Sequence, residues 1–417
     1  MTAAKPPTRG KVQIALGLTA ALLFFFIILS AEFMNPRGFD FACFYSGGLI
    51  VREGNASRLY DLGEQARVQR QELNRDNFLI DNHPPFEALL FAALASLSFV
   101  KAYIFWGAIN VLLWLFSQYL LWSHTSISRH SHLCFLLCFL FFPFWFALII
   151  GHTTLLLLFL FTLTFVCLQR GQDFSAGVFL GLGLFKFPVV IPFALICFLR
   201  GKWKLMAGFT VTAFLLGVLS VVAVGTAGVR SYVNLLTDII SNPNKPAYIS
   251  MRAWKQMPTF RGFFATVLTG RPVPLQIGVL AAVSASLIIF VAWQWRRQDQ
   301  RPGGNALELM FAAALTVSVV TSPHLYIYDL TLMLLPMLLV IGSSQWSGES
   351  VQRRILIAIM VILYIPPVYL LLLRWHAMYL LAPALVAFAL VAMSLAREAE
   401  LPSASTEAEI QCTIQPQ

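Results

Sequence analysis

The sequence predicts an all-α, polytopic membrane protein, and two observations carry this prediction. The first is composition: the 417-residue chain is 58% hydrophobic and 12% charged, whereas ordinary soluble domains are about 25% charged. The second is that apolar runs recur along the whole chain, and each is long enough to cross a hydrocarbon core about 30 Å thick. Because a helix satisfies its backbone polar groups within one such run, we expect helical spans.

The apolar runs predict about twelve transmembrane helices. The run at 84–98 and the runs on either side of Gly151 and His152 are short, which is also typical of re-entrant segments buried in protein. In chain order the predicted helices cover residues 12–33, 84–98, 102–122, 131–149, 152–168, 174–199, 205–225, 274–295, 304–320, 325–342, 353–372 and 377–396.

Basic residues set the predicted orientation, because cytoplasmic loops carry an excess of Lys and Arg. The segments RGKWK at 200–204 and WRRQDQR at 295–301, together with the pair Arg353-Arg354, are therefore expected in the cytoplasm. Twelve spans with both termini inside satisfy all three segments.

Two long loops, 34–83 and 226–273, then face the non-cytoplasmic side. Arg129 and Arg170 fall on that same side, against the charge rule. We expect a single integral membrane domain over 1–397, located in the plasma (inner) membrane. A polar, disordered cytoplasmic tail is expected over 398–417.

Each long loop is predicted to carry a short amphipathic helix. Residues 62–76 have one glycine, at Gly63, and no proline, which favours a surface helix. Residues 231–240 place their apolar side chains on one face, as expected of a helix lying on the membrane.

The net charge of +10 is explained by positive-inside loops and contact with the anionic lipid bilayer. No dense block of Lys and Arg is present, so nucleic acid is not an expected partner. The six cysteines show no disulfide or zinc spacing, and the sequence has no D-x-D motif and no P-loop. We therefore expect chemistry without a metal or another cofactor.

Carboxylates are concentrated in the first long loop, which has seven of the 19 acids. Solvation explains part of this pattern but not Asp40, which lies among Phe39, Phe41 and Phe44. Such surroundings desolvate a carboxylate, raise its pKa and suit it to accept a proton. Asp40 also directly precedes an apolar segment, so an N-cap role is an alternative that is compatible with the first.

These residues belong to a set of motifs that resembles glycosyltransferase family 87. The segment FDFACFYSGGLIVREGNASRLYD at 39–61 is similar to that family's opening, D-x-x-x-Y-Y-x-A-G-x-x-x-x-x-G-x-x-x-Y-D. The resemblance covers roughly 34–345, and the further segments follow in the family's order: HPPFEALLFAALASL, GHTTLLLLFL, GLFKFPVVIPFALICFLRGKWK, KQMPTFRGFF and SPHLYIYDL.

The chain departs from the family pattern at several positions. His83 stands where the family has Tyr in a Y-P-P segment, and His152 and Thr154 replace residues of a G-Q-x-N segment. The segment SPHLYIYDL has its histidine, His324, at a different place from the family's S-P-x-x-W-x-H-Y.

The resemblance implies a GT-C-like membrane fold and a polyprenol-phosphate-sugar-dependent glycosyltransferase. It implies that a sugar, with mannose as the default, passes from a polyprenyl-phosphate donor to a glycolipid or glycan acceptor outside the cytoplasm, with inversion. In this family an Asp in the first loop acts as the base, and Asp40 is the matching position.

Three cations are candidates for binding the donor phosphate. His324 lies at the outer start of a predicted helix, where backbone N–H groups favour an anion. Arg261 is on the same predicted side, although it is equally well explained as a snorkelling interfacial residue. Lys186 lies in an apolar span, where a lysine costs about 3 kcal/mol; Pro188 breaks the helix nearby, and pairing with a buried acid is the alternative.

Five further residues are predicted substrate contacts from their places in the motifs: Tyr45, Tyr60, Asp61, His83 and Gln256. For Tyr60 and Asp61 a turn followed by a helix cap is the alternative. Two other functional classes fit a multi-pass chain: a lipid or glycan transporter or flippase, and a non-catalytic scaffold. No internal repeat supports a transporter.

Overall fold

The computed structural model describes residues 40–74, 78–125, 138, 141–242, 245, 248, 253–299, 306–343 and 351–398. Within these residues every regular element is helical, which confirms the predicted all-α class. The predicted first span at 12–33 and most of the predicted tail lie outside the described residues.

We number the α-helices in chain order. Two short 3₁₀ turns, Gly183–Lys186 and Ile327–Met333, interrupt the series at the site described below. The helices are α1 (Asp40–Arg52), α2 (Leu62–Leu73), α3 (Pro85–Leu94), α4 (Phe99–His124), α5 (Phe142–Ile150), α6 (Thr154–Gln169), α7 (Asp173–Leu182), α8 (Phe187–Leu199), α9 (Trp203–Ser241), α10 (Phe260–Val267), α11 (Val273–Asp299), α12 (Ala306–Thr321), α13 (Leu334–Gly342), α14 (Val351–Tyr364), α15 (Pro366–Arg374) and α16 (Leu381–Glu398).

The described residues fit a multi-pass membrane protein, and five segments could span by length and composition alone: Phe99–His124, Asp173–Leu199, Trp203–Ser241, Val273–Asp299 and Met378–Glu398. The second of these consists of two helices, α7 and α8, joined by a 3₁₀ turn. A sixth would join α14 and α15, which meet at 62°. The predicted number of twelve is not confirmed. In α3 and α5, 10 and 9 residues reach only about 15 Å at 1.5 Å per residue, half of the hydrocarbon core.

Residues 173–199 double back, whereas the sequence predicted one membrane helix over 174–199 that is broken by proline near Lys186. A straight helix of 27 residues would separate its ends by about 40 Å, yet Lys202 Nζ, just after α8, lies 3.9 Å from Asp173 Oδ2. The 3₁₀ turn between α7 and α8 reverses the chain, and Pro188 lies in the first turn of α8. Lys186 is therefore at the tip of a helical hairpin.

The basic segments gather at one end of the bundle. Arg200 pairs with Asp299, which joins the RGKWK segment to the end of α11. Arg170 also belongs to this end, because it lies three residues before Asp173, the partner of Lys202. The twelve-span scheme put Arg170 on the other side because it counted short and doubled-back segments as full crossings.

The first long loop folds into a helical layer. Gly48 lets α1 approach the backbone of α3, since a Cβ there would lie 2.4 Å from the carbonyl carbon of Phe91. The predicted helix at 62–76 is α2, and the predicted helix at 231–240 is the last part of α9, beyond a break at Gly225 with φ 70°. Apolar residues of this part of α9 pack against the layer.

Helix α12 forms the centre of the bundle and is buried along its whole length. It packs against α8, α11, α13 and α16. Because α12 ends at Thr321, the segment 322–328 leaves the buried core directly at the end of the bundle where Lys186 lies.

Candidate active site

A cavity of about 210 Å³ lies at the tip of the α7–α8 hairpin. Segments distant in the chain meet there, and Asp40, His83, Lys186 and His324 are the predicted site residues that line it. The full lining is Asp40, Cys43, Phe44, Leu79, Ile80, Asn82, His83, Pro84, His152, Phe185, Lys186, Phe187, Pro188, His324, Tyr326 and Tyr328.

Asp40 is the first residue of α1 and remains partly exposed in the cavity. The hydroxyl of Tyr328 donates a hydrogen bond to its carboxylate. Burial raises the pKa of Asp40, while the positive charges of Lys186 and His83 oppose that rise. A carboxylate with a raised pKa accepts a proton more readily, so this position has the properties of a general base.

Lys186 forms a buried ion pair with Asp329. Its Nζ lies 3.1 Å from Oδ1 and 3.3 Å from Oδ2 of the carboxylate. The backbone N–H of Tyr326 donates to Oδ2 at 3.3 Å, and the hydroxyl of Thr154 donates to Oδ1 at 2.8 Å. The alternative of pairing with a buried acid is therefore correct for Lys186, and the same side chain still lines the cavity.

His83 reaches the cavity from the segment before α3 and is held by a carboxylate. Its Nδ1 lies 2.8 Å from Oε2 of the buried Glu87. Burial alone would lower the pKa of His83, but Glu87 and Asp81 outweigh it and raise that pKa above its ordinary value. The protonated form of His83 is therefore favoured relative to that of an ordinary histidine.

The other two cavity histidines have the opposite electrostatics. Burial and the charge of Lys186 lower the pKa of His324 to about 3. The same two causes lower the pKa of His152, which lies between α5 and α6. Both imidazoles therefore favour the neutral form, so His324 offers a hydrogen bond there rather than the charge that the sequence suggested.

His152 is fixed on three sides. Its ring stacks on Tyr328, with centroids 4.2 Å apart, and meets the edge of Phe44 at 5.5 Å. Its Nδ1 lies 2.9 Å from Oγ1 of Thr154. These contacts place a neutral imidazole beside the tyrosine that holds Asp40.

Arg261 and Gln256 are outside the cavity lining. The guanidinium of Arg261 lies 4.1 Å from the Trp254 ring and donates to the carbonyl oxygen of Pro323 at 3.0 Å. It is thus next to His324, at the rim. The side-chain amide of Gln256 lies 3.0 Å from Nδ1 of His376.

Three residues of the first loop use their polar groups for the fold and do not line the cavity. The hydroxyl of Tyr45 donates to the carbonyl oxygen of Leu97 at 2.9 Å, so its side chain fastens α1 to the turn after α3. Tyr60 donates to the carbonyl oxygen of His83 at 2.6 Å and supports that residue from behind. Asp61 caps α2, as the alternative reading held.

Sequence reasoning missed Tyr328, Asp329 and Glu87. Asp329 had a usable signal that the sequence analysis did not use: it is an acid inside a predicted span, and Lys186 is a base inside another, and such charges tend to pair. Glu87 follows His83 by four residues, the spacing of neighbours on a helix. Tyr328 had no signal of its own. Among the described residues, no group of three or more His, Cys, Asp or Glu side chains could hold a metal ion.

Comparison with known proteins gives one match. A family model described as glycosyltransferase family 87 matches residues 82–323, more than half of the chain. The match includes His83, His152 and Lys186, while Asp40 precedes it and Asp329 follows it. No curated protein and no solved structure matches the chain.

Proposed function

The chain belongs to glycosyltransferase family 87, and from this premise we propose that it moves a sugar from a polyprenyl-phosphate donor to a glycolipid or glycan acceptor. The default sugar is mannose, and the anomeric carbon is inverted. The observation that carries the proposal is the charge pattern of one cavity, in which burial raises the pKa of the Asp40 carboxylate and two nearby basic side chains, Lys186 and His83, oppose that rise.

A lipid-phosphate donor explains why one carboxylate is enough. Glycoside hydrolysis uses a pair of carboxyl groups, one of which protonates the leaving oxygen. A phosphate leaves as a stable anion and needs positive charge instead of a proton. Lys186 and His83 line the same cavity as Asp40 and would provide that charge.

In the proposed reaction the acceptor hydroxyl oxygen attacks the anomeric carbon while Asp40 takes the hydroxyl proton. The bond between the anomeric carbon and the phosphate oxygen breaks, and the polyprenyl phosphate leaves with that electron pair. The hydrogen bond from Tyr328 holds the Asp40 carboxylate in one orientation, which favours attack along a single line.

Lys186 and His83 are the proposed phosphate ligands inside the cavity. An ammonium has three donors, and the oxygens of Asp329 at 3.1 and 3.3 Å leave capacity for a further anion. His324 adds a neutral N–H group. Arg261 is a charged side chain at the rim. The donor would therefore contact Arg261 before it enters the cavity.

The size of the cavity suits one sugar and its phosphate. Its volume of about 210 Å³ is below the roughly 300–1,000 Å³ of drug-sized sites, so we propose that the prenyl tail and the rest of the acceptor extend outside. Phe187 lines the cavity and is 38% exposed, so the rim continues onto an apolar outer face where a prenyl tail fits.

The proposed active site faces the non-cytoplasmic side. The cavity lies at the hairpin tip, about 20 Å from the end of α8 by its 13 residues, and the basic segments gather beyond that end. Positive segments stay in the cytoplasm. An impermeant thiol reagent applied to intact cells should label Gln71→Cys and leave Arg354→Cys unlabelled; the reverse pattern would invert the topology.

The direct test of the function is an in vitro assay of the purified protein with a panel of sugar donors. We expect transfer from one or more polyprenyl-phosphate sugars and none from nucleotide sugars. Transfer from a nucleotide sugar alone, or from no member of the panel with any glycolipid fraction as acceptor, would overturn the proposal.

A further inference from the structure

A chain of buried hydrogen bonds connects the ion pair to the cavity histidine that the proposed reaction does not use. It runs from Lys186 to Asp329, from Asp329 to Thr154 and from Thr154 to His152. All four side chains are buried. Three separate segments of the fold supply them, so the arrangement depends on the tertiary structure and not on one local turn.

The positions of the protons along this series of hydrogen bonds determine the tautomer of His152. Asp329, paired with Lys186, is a carboxylate and only accepts, so the hydroxyl proton of Thr154 goes to it at 2.8 Å. Thr154 has no second proton to give. The contact of 2.9 Å between its oxygen and Nδ1 of His152 is therefore a bond that the imidazole donates, which fixes the proton of the neutral ring on Nδ1 and leaves a lone pair on Nε2.

That lone pair is available to a ligand. His152 lines the cavity, and within the part of the chain that the structure describes the hydrogen bond of its imidazole is made at Nδ1, not at Nε2. Tyr328 on one side and Phe44 on another keep the ring from turning. His152 is thus a buried acceptor held in one orientation, beside the tyrosine that bonds Asp40. Such a group can recognise a substrate hydroxyl.

We propose that Nε2 of His152 accepts a hydrogen bond from one hydroxyl of the donor sugar, and that Thr154 and Asp329 are positioning residues that set its tautomer. This rests on the proposed function, because it takes the ligand of the cavity to be a sugar. It adds a determinant of sugar specificity: a donor that lacks this hydroxyl leaves the acceptor unpaired in a buried site.

The role is acceptance and not proton transfer. Burial and the nearby charge of Lys186 both oppose protonation of His152, so its pKa lies well below the ordinary value. A ring that resists protonation is a poor general base at neutral pH. His152 thus accepts a hydrogen bond from a hydroxyl of the donor sugar, while Asp40 takes the proton of the acceptor substrate.

The first test pairs sugar analogues with substitutions. Donors lacking one hydroxyl each are compared in the wild type, in His152→Asn, whose amide reaches only the Nδ1 position, and in His152→Gln, whose amide reaches the Nε2 position. At one ring position the wild type should lose about tenfold in kcat/KM. That loss should vanish in the Asn variant and persist in part in the Gln variant. Equal losses in the wild type and the Asn variant at every position would overturn the proposal.

The matched test of the positioning residues compares two adjacent threonines. Thr154→Val breaks the hydrogen-bond chain, whereas Thr153→Val changes a neighbour whose hydroxyl is equally buried and has no partner within the described residues. Thr154→Val should reduce the discrimination at the same ring position, and Thr153→Val should leave it as in the wild type. The opposite ranking would remove Thr154 from the account.

A third measurement needs no turnover. The chain has seven histidines, so the ¹⁵N resonances of His152 can be assigned by difference with His152→Gln. We expect a protonated Nδ1 and a bare Nε2, with Nε2 shifting when polyprenyl-phosphate mannose is added. If this is seen without any sugar transfer, the proposed function fails and the inference on His152 stands. If transfer is normal while Nε2 has the proton or does not shift, the inference fails and the function stands.

Discussion

Two ion pairs connect distant segments at opposite ends of the bundle, and only the pair at the cavity is buried on both sides. At the cavity, Lys186 and Asp329 have side chains that are 8% and 2% exposed. At the basic end, Arg200 is buried but its partner Asp299 is 31% exposed. The guanidinium carbon of Arg200 also lies 3.9 Å from the centroid of the Trp295 ring.

The difference shows that the Arg200 pair holds two segments together, whereas Lys186 can also bind a ligand. The guanidinium of Arg200 is a rigid fork that takes both oxygens of Asp299 at once, which suits a fixed joint between helices. The ammonium of Lys186 is a compact charge with three donors, so it can keep Asp329 and still take a second anion. Only Lys186 of these two cations lines the cavity.

The strongest way to break this comparison is to remove each pair completely. Replacing both partners of a buried pair by apolar residues is often neutral for stability, so Lys186→Met with Asp329→Leu and Arg200→Met with Asp299→Leu should both fold. We expect transfer to fall about 10- to 100-fold in the first variant, since a charge-assisted contact to the phosphate is worth roughly 1.5–3 kcal/mol. The second should stay within about twofold of the wild type.

Initial rates and thermal unfolding of both double variants test this. If both variants have normal stability and lose transfer equally, the Lys186 pair has no special role in the reaction. The single change Lys186→Met should instead unfold more easily, by about 3–5 kcal/mol, because it leaves the charge of Asp329 buried without its cation.

The pH dependence of the reaction tests the roles of Asp40 and His83. Burial raises the pKa of Asp40, so the base is lost as pH falls through that pKa. Although burial opposes it, Glu87 raises the pKa of His83, and this cation is lost as pH rises through its pKa. We expect a bell-shaped profile of kcat/KM.

Glu87→Gln should move the alkaline limb of that profile to lower pH. The reason is that His83 loses the carboxylate that stabilises its charge, and we expect about a tenfold loss on that limb. Glu64→Gln is the control, because this buried glutamate pairs with Arg67 at 2.6 Å outside the cavity. An alkaline limb that does not move in Glu87→Gln would show that the charge of His83 is not used.

The smallest expected effects are at the rim, at His324 and Arg261. As a neutral donor of one hydrogen bond, His324 should contribute about 3- to 10-fold to donor affinity, and His324→Ala should raise KM by that factor. Arg261→Ala should raise KM less, since its guanidinium is already engaged by Pro323 and Trp254 at the rim. Donor binding that is unchanged in both variants would place the phosphate away from this rim.

Sequence alone identified the residues with unusual chemistry but not their partners. Asp40, His83, Lys186 and His324 each stood out as a titratable group in apolar surroundings or in a motif, and all four line one cavity. The pairing of Lys186 with Asp329 joins positions 143 residues apart, and no local pattern specifies such a contact.

The fold was predictable as a class and less so in its details. An apolar run such as 174–199 has the same composition whether it crosses the membrane or turns back at Lys186, so composition cannot distinguish the two. The direction in which each side chain points could not be predicted from the sequence either. Tyr45 and Asp40 share α1 and one motif, yet only Asp40 lines the cavity, because the packing of α1 on α3 turns Tyr45 towards Leu97.

The account depends most on Asp40, and one substitution tests it. Asp40→Asn keeps the size and much of the hydrogen bonding of the side chain but cannot accept the proton. We predict that the purified variant binds polyprenyl-phosphate sugar within about twofold of the wild type while transfer falls by about 10²–10⁴-fold. The matched control is Asp61→Asn, which changes an aspartate of the same loop that caps α2 away from the cavity and should transfer at the wild-type rate. Transfer by Asp40→Asn at a near wild-type rate would contradict the account and favour a transporter or a scaffold.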